Sequence, residues 1–186
     1  MRTISNNKRS SKLVVILHGL KSNIDSTLVR SIFNELKDLD KRVILVEFSY
    51  VRKKKQPDPD QIVEARELVD FLKAQKYKEL TVVGHSNGGF VALVAKTLKL
   101  KIDCLVLLGI SSVEKKETAQ IIAGILKEIP AVIIIQGEKD EYLPASAVRD
   151  FLTTFKLKGE LVVVAGDHHF RGYEHVVAKK VRVALN

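Results

Sequence analysis

The chain reads as an α/β protein, a three-layer α/β/α sandwich on about six parallel strands. Three observations carry that reading. Short apolar runs alternate with amphipathic stretches along its length. The runs are rich in Val, Ile and Leu, as strands covered on both faces are. The residues able to do chemistry fall just after the runs, where open parallel sheets build their sites.

Strands are expected over Leu13 to Leu17, Val43 to Phe48, Leu80 to Val83, Cys104 to Leu108, Val132 to Gln136 and Leu161 to Ala165. Helices are expected over Thr27 to Asp38, Asp60 to Gln75, Gly88 to Leu98, Glu114 to Lys127, Ala145 to Thr154 and Gly172 to Ala184. In the second helix, Ile62, Val63, Arg66, Val69 and Leu72 suggest one apolar face laid on the sheet. Ser26 and Pro59-Asp60 are start signals for the first two helices. Strands and helices in alternation imply right-handed parallel crossovers. One domain over 1–186 is expected, with residues 1–11 a flexible or loosely packed start.

Composition excludes several classes. Hydrophobic residues make up 46% and charged residues 28%, the balance of a globular protein. No apolar run approaches the roughly 20 residues that span a bilayer, and the polar, basic start lacks the apolar core of a signal peptide. The single cysteine, Cys104, admits no intrachain disulfide and is expected to be a small buried hydrophobe in a reducing, cytoplasmic setting. The net charge is +9, with the densest cluster at Arg52-Lys53-Lys54-Lys55. A polyanionic partner would suit such a charge. However, no zinc-ligand spacing, RNA-binding aromatic motif or P-loop accompanies it, so no specific nucleic acid is expected.

The most informative stretch is Thr81-Val82-Val83-Gly84-His85-Ser86-Asn87-Gly88-Gly89-Phe90. It is a strand, a sharp turn and a helix start, with the G-x-S-x-G spacing of a nucleophile elbow. At Gly84 and Gly88 a Cβ would collide where strand and helix close on the turn. Ser86 needs a base to become nucleophilic. Three further segments follow strands. Leu17-His18-Gly19-Leu20 offers the backbone N–H of Leu20, to pair with that of Asn87 as an oxyanion site. For Asn87 only the backbone N–H is required. His18 reads as structural, buried and hydrogen-bonded, because the base should come later in the chain. Gln136 to Pro144 offers Asp140 to orient the base, with Glu138 and Glu141 as rivals. Ala165-Gly166-Asp167-His168-His169-Phe170 offers His168 as general base, with His169 as the alternative.

At these residues the chain resembles the α/β-hydrolase superfamily, from Leu13 to the last helix. The resemblance implies Ser86 as nucleophile, Asp140 as acid and a histidine of the final loop as base. The Gly166-Asp167-His168 context favours His168. His18-Gly19-Leu20, Phe48-Ser49-Tyr50 and Pro57-Asp58 are similar to the KANL3/Tex30-type branch, near the dienelactone-hydrolase-like proteins. The family's two leading strands are expected to be missing, leaving a minimal core. Only one helix fills the stretch from Gly109 to Pro130, so no large cap is expected.

The expected activity is hydrolysis of a carboxylic ester or related acyl bond of a small substrate through an acyl-enzyme, with no cofactor and no metal. Arg52 and Lys53 would form a pocket rim attracting anionic substrates, with Ser111 also at the pocket. The alternative is a non-catalytic protein-interaction module on the same fold. Oligomeric state is not legible in the sequence.

Overall fold

The computed structural model describes residues 1–52 and 60–186. Its elements run β1 (Arg2–Ser5), β2 (Lys12–Leu17), α1 (Thr27–Leu36), β3 (Arg42–Glu47) and a 3-10 turn (Ser49–Arg52). Then come α2 (Gln61–Lys73), β4 (Glu79–His85), α3 (Asn87–Thr97), β5 (Cys104–Leu108) and α4 (Lys116–Lys127). The chain ends with β6 (Ala131–Gly137), α5 (Ala145–Thr154), β7 (Glu160–Val164) and α6 (Glu174–Ala184). The sheet order is β1-β3-β2-β4-β5-β6-β7. The last six strands in sequence are mutually parallel, as their composition predicts.

The start of the chain corrects one expectation: the sheet does not lack every leading strand, because residues 2–5 form one, although none of residues 1–11 is buried. β1 pairs antiparallel with β3, Arg2 opposite Glu47 and Ser5 opposite Ile44. Ile4 packs on the core under α1 and α6. The Asn6 side chain then bonds the carbonyls of Lys37 and Lys41 at 3.0 Å and accepts from Val43 N–H at 3.0 Å. A four-residue edge strand with one apolar side chain leaves no apolar run to find.

Alternation along each strand divides the core. On β2, Val14 and Ile16 face α1 and α6, while Leu13, Val15 and Leu17 face the layer of α2, α3, α4 and α5. From β2 the chain moves outward to β3, then crosses back through α2 to β4. The ends of β2 and β4 therefore lie side by side where the winding reverses. Crevices form at such a reversal, beyond the carboxyl ends of the strands.

α2 starts where Asp60 accepts from the N–H groups of Ile62 and Val63, at 2.9 and 3.2 Å, a side-chain cap as predicted. At α1 the Ser26 hydroxyl makes no capping bond. The inward face of α2 departs from the expected one. Ile62 and Val63 are exposed, and the buried side chains are Glu64, Ala65, Leu68, Val69 and Leu72. Leu68 and Leu72 lie four and eight positions beyond Glu64, so the helical period carries the carboxylate onto the apolar side.

Cys104 is half-buried rather than fully enclosed, because it opens β5 at the amino end of the strand. Burial still pushes its thiol up. α4 lays Ala119, Ile122, Ala123 and Leu126 into the core instead of folding over Ser86, and no cap is evident. Among the described residues, no helix is long and apolar enough to cross a membrane.

Candidate active site

Ser86 sits between β4 and α3 with φ 48° and ψ −116°, a backbone conformation unfavourable for a residue with a Cβ. Two bonds fix it there: its N–H donates to Leu108 O at 2.9 Å, and its carbonyl accepts from Gly89 N–H at 2.9 Å. The turn closes tightly. A Cβ on Gly84 would lie 2.6 Å from Gly89 N, and one on Gly88 would lie 2.7 Å from His18 O and 2.8 Å from Leu17 O. Both glycines are thus required by backbone contacts, and Gly88 also seats the elbow against the end of β2.

The Ser86 hydroxyl lies 2.9 Å from His168 Nε2. His168 Nδ1–H donates to Asp140 Oδ2 at 2.8 Å. Three residues separated by 54 and 28 positions in the chain thus form one hydrogen-bonded line. Asp140 is held on every side. Its Oδ1 accepts from the N–H groups of Tyr142 and Leu143, at 2.9 and 3.1 Å, and its Oδ2 accepts from Gln136 Nε2 at 2.8 Å. Gln136 is wholly buried at the end of β6, and its Oε1 accepts from Ile110 N–H at 3.0 Å.

The His168 peptide is tied at both ends. Its N–H donates to Glu141 Oε2 at 3.1 Å, and its carbonyl accepts from His85 Nε2–H at 3.0 Å. Glu141's own N–H and that of His168 hold the Glu141 carboxyl below its usual range. Burial drives His85 down to about 4, so it stays neutral and donates. The Tyr142 ring meets His168 edge-on, 4.6 Å between centroids. His169 is elsewhere: its N–H bonds Asp167, and its ring stands against His85. Among the described residues, Glu138 makes no side-chain hydrogen bond or ion pair to this line.

His18 is buried beneath the loop after β2, as expected. Its Nδ1–H donates to Gly19 O at 2.8 Å, and its ring packs edge-on to Phe48. Desolvation lowers its pKa, favouring the neutral ring. Leu20 is in the turn after β2, and the N–H groups of Leu20 and Asn87 have no partner among the described residues. An open cleft of about 900 Å³ lies above Ser86, lined by Leu20, Lys21, Ser111, Tyr142, His168 and His169 among others. Of the expected rim, Ser111 lines the cleft. Arg52 ends the 3-10 turn, and Lys53, with the rest of the basic cluster, lies outside the described residues.

Residues 10–180 match the family model described as "Alpha/beta hydrolase domain". The chain belongs to the α/β-hydrolase family. A search of curated protein sequences finds no match. Solved structures share the fold at low identity. Est1E from Butyrivibrio proteoclasticus, with ferulic acid bound, superposes with TM-score 0.77 at 18% identity, covering 99% of this chain and 93% of that one. XC6422 from Xanthomonas campestris, described as a serine hydrolase without lid, gives 0.74 at 20%, covering 93% and 80%. The esterase Pf2001 of Pyrococcus furiosus gives 0.72 at 20%, covering 96% and 80%.

Against this α/β-hydrolase frame, several positions were invisible in sequence reasoning. Gln136 and Tyr142 contact Asp140 and His168, and His85, which precedes Ser86 in the chain, bonds the His168 carbonyl; residue type and spacing alone assign them none of these roles. The sequence pattern asks only for the backbone N–H of Asn87, yet its side chain is buried in a polar clasp. Its Nδ2–H donates to Glu64 Oε2 at 2.9 Å, and its Oδ1 accepts from Gln61 Nε2–H at 2.9 Å. The available signal was Glu64 itself, an acid at apolar helical spacing with Leu68 and Leu72.

Proposed function

We propose that this chain is a serine hydrolase that cleaves a carboxylic ester, or a related acyl bond, of a small substrate. In this reading Ser86 is the nucleophile, His168 the general base and Asp140 the acid that orients it. The observation that supports it most is the continuous hydrogen-bond line from Ser86 Oγ through His168 to Asp140, at 2.9 and 2.8 Å.

As Ser86 Oγ attacks the acyl carbon, its proton passes to His168 Nε2 and an electron pair moves onto the carbonyl oxygen. The backbone N–H groups of Leu20 and Asn87 receive that oxyanion. Collapse breaks the bond to the leaving alcohol, which takes the proton from Nε2 and leaves Ser86 acylated. Water attacks the acyl-enzyme with the same base, releasing the acid and restoring the hydroxyl. Asp140 stays ionised throughout and stabilises the imidazolium. These steps use no metal or organic cofactor.

The open cleft favours small or accessible substrates, and the likeness to Est1E and Pf2001 leans toward esters. An anionic substituent on the substrate fits Lys21 and Arg171 on the cleft wall, though Asp25 and Glu174 line it too. Within the family, the His18-Gly19-Leu20 and Phe48-Ser49-Tyr50 segments favour the KANL3/Tex30-type branch. The single cysteine favours a reducing, cytoplasmic setting.

The deciding experiment compares the wild type with Ser86→Ala. The wild type turns over short-chain p-nitrophenyl esters and is labelled by a fluorophosphonate probe. Ser86→Ala loses turnover by at least about 10⁴-fold and is not labelled. Labelling that persists in the variant means that another residue is the nucleophile, and a wild type inert to both reagents ends the hydrolase reading.

A further inference from the structure

We propose that Glu64 is a positioning residue for the oxyanion site, acting through the side chain of Asn87. The geometry is direct. Asn87 follows Ser86 and opens α3, and its backbone N–H has no partner among the described residues. Its side chain is buried and gripped at both ends, by Glu64 Oε2 and by Gln61 Nε2, each at 2.9 Å. Both partners belong to the first turns of α2, whose start is fixed by the Asp60 cap. The clasp therefore couples the rotation of the Asn87 peptide to a rigid neighbouring helix. An oxyanion donor is effective only when aimed where the charge develops, and small misplacements cost large factors in rate.

A plain packing role does not account for Glu64. The residue is 2% exposed, and among the described residues its Oε1 has no partner. The nearby Tyr50 hydroxyl and His18 Nε2 are buried and without a hydrogen-bond partner among the described residues as well. A core that needed only volume would place an apolar residue here, since a buried, half-satisfied carboxyl is costly. Burial pushes Glu64 up to about 7, opposed by the Asn87 bond and assisted by the negative charges of Glu67 and Asp60. Among the described residues, Asp60 and Glu67 are the titratable groups facing it from its own helix. Tyr50 faces it from the 3-10 turn, itself pushed up to about 12 by burial and by the Glu64 charge, and His18 stands beside Tyr50. α3 contributes the neutral Asn87, and its only charged residue, Lys96, pairs with Glu128.

The two protonation states act differently on the reaction. Neutral Glu64 holds the Asn87 amide without adding charge behind the oxyanion site. Ionised Glu64 sets a buried negative charge there and opposes a second one on the substrate oxygen. A decline of kcat as pH rises through neutrality is therefore the outcome expected if Glu64 acts in this way.

The proposal rests on Ser86 as nucleophile, and its test separates the two. Turnover of p-nitrophenyl acetate by the full chain is followed between about pH 5.5 and 8.5. Glu64→Ala lowers kcat roughly 10- to 100-fold with KM within about twofold. Glu64→Gln keeps an acceptor toward Asn87, recovers most of that loss, and abolishes the decline near pH 7. In ¹⁵N NMR, the Asn87 amide signals of the wild type shift with pH near 7, and those of Glu64→Gln do not. Unchanged kcat in a folded Glu64→Ala, an intact alkaline decline in Glu64→Gln, or Asn87 signals that ignore pH in the wild type would each overturn the role. Wild-type signals that titrate in a protein with no esterase activity would remove the hydrolase reading while leaving the grip of Glu64 on Asn87 in place.

Discussion

His168 and His169 are adjacent, similar in sequence context, and set apart by geometry alone. Only His168 reaches both Ser86 and Asp140. His168→Ala is expected to lower ester turnover by about 10³-fold or more, while His169→Ala stays within about threefold. A reversed order, measured as kcat/KM on the same ester, would move the base to His169. Glu64 adds a thermodynamic prediction at the same scale. Its folded pKa is about 7 against an ordinary value of 4.5, so between those values the folded protein binds the extra proton. The stabilising contribution is complete below about pH 4.5 and is lost as pH rises through 7. Glu64→Gln should flatten that part of the stability profile by on the order of 2 kcal/mol, read from urea unfolding at acid and neutral pH.

At the level of elements, the elbow depends on β2 as much as on β4 and α3. A Cβ on Gly88 would meet the carbonyls of Leu17 and His18, neither of which can move without disturbing the sheet. Gly88→Ala is expected to cost about 1–3 kcal/mol in unfolding free energy, with loss of turnover, because overpacking against backbone has no soft partner to yield. That contact also explains what the sequence could and could not reveal. The six parallel strands and the helices were legible because each is an apolar or amphipathic run with its own period. Ser86, Asp140 and His168 stood out as candidates because each follows a strand in an order that matches one known chemistry, and the structure brings their side chains within hydrogen-bond distance. β1 was not legible, since an edge strand of four residues has too little apolar content. Gln136, His85 and Gln61 were not legible either, because their roles depend on partners 26 to 83 positions away. The inward face of α2 holds at Val69 and Leu72 and departs at Ile62 and Val63, which are exposed while Glu64, Ala65 and Leu68 are buried.

At the scale of the whole molecule, the chain carries a net charge of +9, while the cleft wall among the described residues carries both signs, Lys21 and Arg171 against Asp25 and Glu174. Binding to a random DNA duplex is therefore expected to fall steeply with added salt and to show no sequence preference, as a gel-shift series across salt concentrations would report. A salt-resistant, sequence-selective complex would point to a nucleic-acid function instead. The sheet ends act together at one peptide. β4 supplies His85, the loop after β6 supplies Glu141, and the loop after β7 carries His168 between them. The imidazole is thus held in place before any ligand arrives, and among the described residues no cap has to fold over it. Turnover then has no closing motion to wait for, and its pace should be indifferent to the viscosity of the medium.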